Sequence, residues 1–284
     1  MRTNPIGFRM RLAVLFAFLT AGTAAFAAAP TEITVDLRLD ASDFIAGERI
    51  RGVIDVANSS PEQVNVGSPK SRDALFVEVF RASDAKQLAR ISRSAFVSGF
   101  RLETGEGQKL ETFLADHYAL REPSRYLAKP VLVHGGVRFE GQPRAFDVVD
   151  GVRVGSAMQM FANRKGLQRE FELVYWAKSH GEHLYLKAKD AGSSSRRWTT
   201  WDLGPILRLD KPTIGILPSG AVIVLHRLNQ DQFVRSEFWS LPDELAFRGR
   251  QAVSDPTTAG TARVRELYKE KGVAPKENPW WKFW

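Results

Sequence analysis

Cysteine is absent from the 284 residues, which excludes disulfides, thiol nucleophiles and thiolate metal sites. Histidine is scarce, limited to His117, His134, His180, His183 and His226. Gly-x-Ser-x-Gly and His-Glu-x-x-His do not occur, and no glycine-rich loop opens a helical pattern. The chain therefore carries no serine-hydrolase elbow, zinc-peptidase helix or phosphate cradle, and no cofactor motif. His180 and His183 could approach one ion across a turn, but they lack helical spacing and a third ligand. They read as solvated turn histidines rather than as a metal site.

What is there begins with an export signal. Arg2, Arg9 and Arg11 precede the apolar run Leu12–Thr20, and Ala25-Phe26-Ala27 is a small-x-small cleavage site. A spanning helix needs about 20 apolar residues, and Gly22 and Thr23 interrupt this run. Residues 1–27 are thus read as a cleaved Sec signal peptide, so the mature chain is periplasmic, envelope-associated or extracellular. The formal charge of +8 includes those three arginines. The remaining excess lies in the second half and the tail and forms no dense basic stripe. A nucleic-acid partner is excluded on that basis.

Ile33, Val35, Leu37 and Leu39 alternate with Thr34, Asp36 and Arg38, the period of a strand with one buried face. Asp43–Glu48 connects to a second strand, Arg49–Ala57, which Asn58-Ser59-Ser60-Pro61 ends. Leu75–Arg81, Leu88–Ile91, Leu110–Leu114 and Tyr126–His134 continue the pattern. Short strands separated by turn residues predict an all-β fold, with an antiparallel sandwich over residues 31–160.

The segment Asp43-Phe44-Ile45-Ala46-Gly47-Glu48, the strand ending Asn58-Ser59-Ser60, and the stretch His117–Leu127 resemble immunoglobulin-like sandwich domains of secreted bacterial proteins. Such domains accompany deuterolysin-type metallopeptidases and macroglobulin-like proteins. The resemblance implies that Tyr126 is a corner tyrosine whose hydroxyl bonds nearby backbone. It implies a fold and no activity.

Residues 167–248 read as a second β-meander module. Glu170–Lys178 and His183–Lys189 form one hairpin, Thr213–Leu217 and Val222–Arg227 another around Pro218-Ser219-Gly220, and Phe233–Trp239 follows. Val174-Tyr175-Trp176 and Val224-Leu225-His226 sit at matched places in two blade-like repeats. Such meanders resemble sialidase-like and lectin-like propeller blades. Two units cannot close a ring within one chain, so closure would require oligomerisation; otherwise the region is a single twisted sheet packed on the first domain.

Residues 249–284 read as a flexible basic tail with a short helix, closing on Trp280-Trp281-Lys282-Phe283-Trp284. Trp280, Trp281, Phe283 and Trp284 are candidates for docking to a membrane or partner. Tyr175, Trp176, Tyr185, Trp198, Trp201 and Trp239 are candidates for sugar binding, weighed against the plainer reading that strand aromatics fill cores. Glu182, Asp190, Asp202 and Asp231 lie at hairpin ends, where a hydrolase could find a carboxylate pair. The expectation is a non-catalytic binding or scaffolding protein whose partner is an envelope protein, a glycan or a membrane surface. A lectin-like module is one alternative, and a hydrolase using loop carboxylates is the other.

Overall fold

The computed structural model describes residues 33–254, apart from 69–70, 162–163, 165, 179–180 and 192–197 and the side chain of Trp198. The expected signal peptide and the Trp-rich end lie outside the described residues. The described part is almost wholly β, as the alternation predicts.

The first lobe opens with β1 (Ile33–Leu39), β2 (Asp43–Ile45), β3 (Arg51–Asn58), β4 (Val64–Val66) and β5 (Ala74–Arg81). It continues with β6 (Phe100–Leu102), β7 (Gly107–Phe113), β8 (Ser124–His134), β9 (Val137–Glu140) and β10 (Arg144–Val149). One sheet has the order β1-β3-β7, and the facing sheet runs β2-β10-β8-β5 with β9 also on β8. All these pairings are antiparallel except β2 with β10. Ile33, Val35 and Leu37 of β1 and Ile54 and Val56 of β3 face Val77, Val79, Tyr126 and Phe146 in one core. Each fully buried aliphatic side chain there contributes about 1.5–3 kcal/mol. The β8–β9 hairpin turns through Gly135 and Gly136, both at positive φ (56° and 82°), a pair of backbone states that glycine adopts without strain. Tyr126 donates its hydroxyl to the Glu122 carbonyl at 2.9 Å, the local backbone bond expected of it. Leu88–Ile91 is not a strand; isolated bridges at Gln87 and Arg90 take its place, because its side chains are mostly exposed.

The second lobe comprises β11 (Val152–Met160), β12 (Gln168–Lys178), β13 (Gly181–Ala191), β14 (Trp198–Pro205), β15 (Thr213–Ile216), β16 (Ala221–Arg227), β17 (Phe233–Ser240) and β18 (Leu245–Val253). They form two four-stranded antiparallel meanders, β11-β12-β13-β14 and β15-β16-β17-β18. Phe171, Leu173, Leu184 and Leu186 of the first pack on Val222, Val224 and Phe238 of the second. The repeat is therefore two sheets of one sandwich. The matched residues differ in orientation: Val224 faces this core, whereas Val174 faces the first lobe. Strand period 2 makes that a slip of one residue.

Both expected boundaries move. β11 pairs with β12 from Val152 to Met160, so the first lobe ends at Val149 rather than at residue 160. Its Met158 and Met160 are exposed and bring nothing to the first core. At the other end β18 pairs with β17 as far as Val253, so the stretch read as a flexible tail from residue 249 begins inside a sheet.

The lobes meet on the segment Asp43–Glu48. Ile45 and Val149 pack on Val174, Tyr185 and Trp176. Around this patch Lys178 donates to Glu48 at 2.7 Å, Trp176 Nε1 to Asp43 at 2.8 Å, and the Thr200 hydroxyl to the Ala46 carbonyl at 2.7 Å. Burial pushes the Glu48 carboxyl up, with Lys178 offsetting part of the effect. Gly151, at φ +72°, makes the turn between lobes where a Cβ would lie 3.0 Å from Ile45 Cδ1 and 3.1 Å from the Tyr175 carbonyl oxygen.

Candidate binding groove on the second sandwich

Along β17, alternation turns Val234, Ser236, Phe238 and Ser240 to the core and Arg235, Glu237 and Trp239 to the outer face. On β18, Gln251 stands opposite Arg235 and Gly249 opposite Glu237. The register then shifts, since Phe238 pairs with Phe247, which leaves Arg248 as the extra residue of a bulge. Bulges re-aim side chains. Here Arg248 places its guanidinium 5.7 Å from the Trp239 ring centre.

The result is an open groove of about 490 Å³ lined by Arg235, Glu237, Trp239, Arg248, Arg250 and Gln251 over the bare backbone of Gly249. Leu217, Ala221 and Ile223 pack with Trp239. Two guanidinium groups, of Arg235 and Arg248, thus share the groove with one carboxylate. Arg250 stands opposite core-facing Ser236 and turns its guanidinium away from the groove, Nη2 donating to the Asp202 carbonyl on β14 at 2.8 Å.

Arg235 is the unusual member. It is only 8% exposed, and neither Nε nor Nη2 makes a hydrogen bond. Glu237 Oε2 lies 3.1 Å from Nη2, close enough for charge attraction but without hydrogen-bond geometry. Removing a cation from water costs several kcal/mol unless partners replace the lost hydration. One misaligned carboxylate replaces little of it.

The aromatics singled out from the sequence do not converge. Trp239 lines the groove, whereas Trp201 packs in the inter-sheet core, 5.0 Å from the Phe238 ring. Tyr185 is fully buried and Trp176 partly buried, both in the patch between the lobes. Tyr175 lies under the Arg208 guanidinium, 4.4 Å from its ring centre. The Trp198 side chain and Trp280, Trp281, Phe283 and Trp284 lie outside the described residues. Arg235, Arg248 and Arg250 were not singled out from the sequence. The Arg-x-Glu-x-Trp alternation in β17 was a usable signal, but only with β18 recognised as its neighbour.

The hairpin-end carboxylates are dispersed into separate bonds. Arg208 grips Glu182 at 2.6 and 2.7 Å, His183 bonds Asp202 at 2.9 Å, and Arg169 holds Asp190 inside the core. Asp231 is exposed in the β16–β17 turn. His180, the other half of the histidine pair, lies outside the described residues. A different acid–base pair joins His134 Nδ1 to Asp73 Oδ2 at 2.9 Å. Ser60 lines the same pocket of about 260 Å³, but its hydroxyl is committed to Asn58 Oδ1 at 2.6 Å, so the pair has no free nucleophile there.

Compared with models of known protein families and with curated proteins, the chain matches none. Among solved structures it is similar to the sporulation control protein Spo0M from Bacillus subtilis, at 12% identity and a TM-score of 0.30, over 84% of this chain and 97% of that one. At that level the likeness carries no argument.

Proposed function

We propose that this is a non-catalytic, exported binding protein of the bacterial envelope whose ligand surface is the groove between β17 and β18. Export rests on the N-terminal segment, with its three arginines, apolar run and Ala25-Phe26-Ala27. Binding rests on one observation: Arg235 is buried at the groove with two guanidinium nitrogens left without hydrogen bonds. Both nitrogens are sealed from solvent, so a ligand acceptor in the groove would supply the missing partner through a side-chain shift in the groove wall. The dispersal of the carboxylates and the commitment of the Ser60 hydroxyl, among the described residues, support the non-catalytic reading.

A photo-crosslinking residue at Gln251, with a second at exposed Lys86 on the first lobe as control, tests this in cells making the full chain. Adducts of one defined mass at Gln251 alone are expected. No adduct at Gln251, or equal labelling at both positions, would remove the groove as the ligand surface. Recovery of a chemically cleaved ligand from the purified protein would remove the non-catalytic reading.

A further inference from the structure

We infer that the groove takes an acidic saccharide, with a sugar ring on Trp239 and its carboxylate, phosphate or sulfate between Arg235 and Arg248. This rests on the reading of the groove as the binding surface and narrows it to a chemical class.

The donors decide the sign. Guanidinium groups donate and never accept, so Arg235 and Arg248 require a ligand rich in acceptors. Two guanidinium groups, of Arg235 and Arg248, against the one carboxylate of Glu237 make the groove net positive. Arg235 presents its demand from within the wall, where a charge-assisted hydrogen bond is stronger than at the surface. The bulge sets Arg248 beside the indole, so the same ligand can meet the aromatic surface and a cation.

Trp239 supplies the second half of the recognition. Its ring is partly buried beside Ala221 and Ile223, a rigid and amphipathic surface on which the C–H face of a pyranose can rest. The groove, at about 490 Å³, lies within the range of small-ligand sites. Gln251 provides both an amide donor and an acceptor for hydroxyl groups.

The chain's own aromatic terminus is the obvious rival occupant, and its charge argues against it. Residues 255–284 contain six basic and four acidic side chains. Docking that segment would set cations against the groove's cations.

Titration calorimetry on the full mature protein, using hexamers of galacturonic acid, maltohexaose and inorganic phosphate, tests the class. The acidic hexamer should bind, and about tenfold more weakly in Arg248→Ala or Trp239→Ala or when salt rises from about 50 to 500 mM. Arg248→Ala should melt with the wild type, which separates lost binding from lost folding; Trp239→Phe, which keeps a ring against Leu217, Ala221 and Ile223, should lose less binding and less stability than Trp239→Ala. Equal binding of maltohexaose would overturn the acidic class and leave the groove standing. Phosphate binding as tightly as the acidic hexamer would overturn the saccharide part. If none of the three binds and the Gln251 adducts are also missing, both readings fall; adducts without binding remove the acidic saccharide alone.

Discussion

Arg169 grips Asp190 inside the second sandwich, with Nε 2.5 Å from Oδ1 and Nη2 3.2 Å from Oδ2. Arg169 is fully buried and Asp190 is 5% exposed. The remaining nitrogen, Nη1, donates to the Ser240 hydroxyl at 2.8 Å and to the carbonyls of Leu241 and Glu244 at 3.0 and 3.2 Å. One side chain on β12 therefore ties together β13, β17 and the connection to β18. Removing it strands a carboxylate in the core, so Arg169→Met should cost about 3–5 kcal/mol in urea unfolding. The double change Arg169→Met with Asp190→Leu should recover most of that. A loss under 1 kcal/mol in the single variant would mean that the pair is not a structural clamp.

His226 gives the same sandwich a pH dependence. It lies on the inner side of β16, 2% exposed, and neither ring nitrogen has a well-aligned hydrogen-bond partner. Burial lowers its pKa to about 4; the Pro205 carbonyl and Asp202 offset part of this, and Arg250 adds to it. The folded value lies below the ordinary 6.5, so the unfolded chain binds the proton first. Stability from this group is complete above pH 6.5 and declines as pH falls toward 4, by roughly 3 kcal/mol. Melting curves for His226→Leu should be flatter than wild type between pH 6.5 and 4. Parallel curves would refute the assignment.

Much of the strand pattern was legible because one-sided burial leaves a period of 2. Ile33–Leu39, Leu75–Arg81 and Phe233–Trp239 show it, and each lies in a strand. β11 and β18 were missed because both expose most of their side chains; neither Arg153 nor Arg248 announces a buried neighbour. Arg169 and Asp190 were also hidden, since a buried charge pair reads in sequence like two surface charges. The groove failed to show for a related reason. Its residues come from two strands in a register broken by the Arg248 bulge, and linear spacing does not encode that juxtaposition.

Export has a direct chemical readout. Signal peptidase acting after Ala25-Phe26-Ala27 leaves Ala28 as the new N-terminus. Intact-mass measurement on the exported protein should find the chain beginning at Ala28. A chain retaining residues 1–27 and fractionating with the inner membrane would show an uncleaved anchor.

The contact between lobes predicts a substitution that does no harm. Tyr185 is fully buried against Ile45 and Val174, with Lys178 Nζ 5.2 Å from its ring centre. Its hydroxyl has no hydrogen-bond partner, and burial together with the nearby carboxylates of Glu48, Asp202 and Asp43 pushes its pKa up. A buried hydroxyl without a partner costs about 1–3 kcal/mol, whereas the ring supplies the packing. Tyr185→Phe should therefore match or exceed the wild type, by about 2–4 °C in Tm for each kcal/mol gained. Tyr185→Ala should lose about 3–5 kcal/mol through the cavity it leaves. Scanning calorimetry separates the two effects, and a lower Tm for Tyr185→Phe would show that the hydroxyl is bonded in solution.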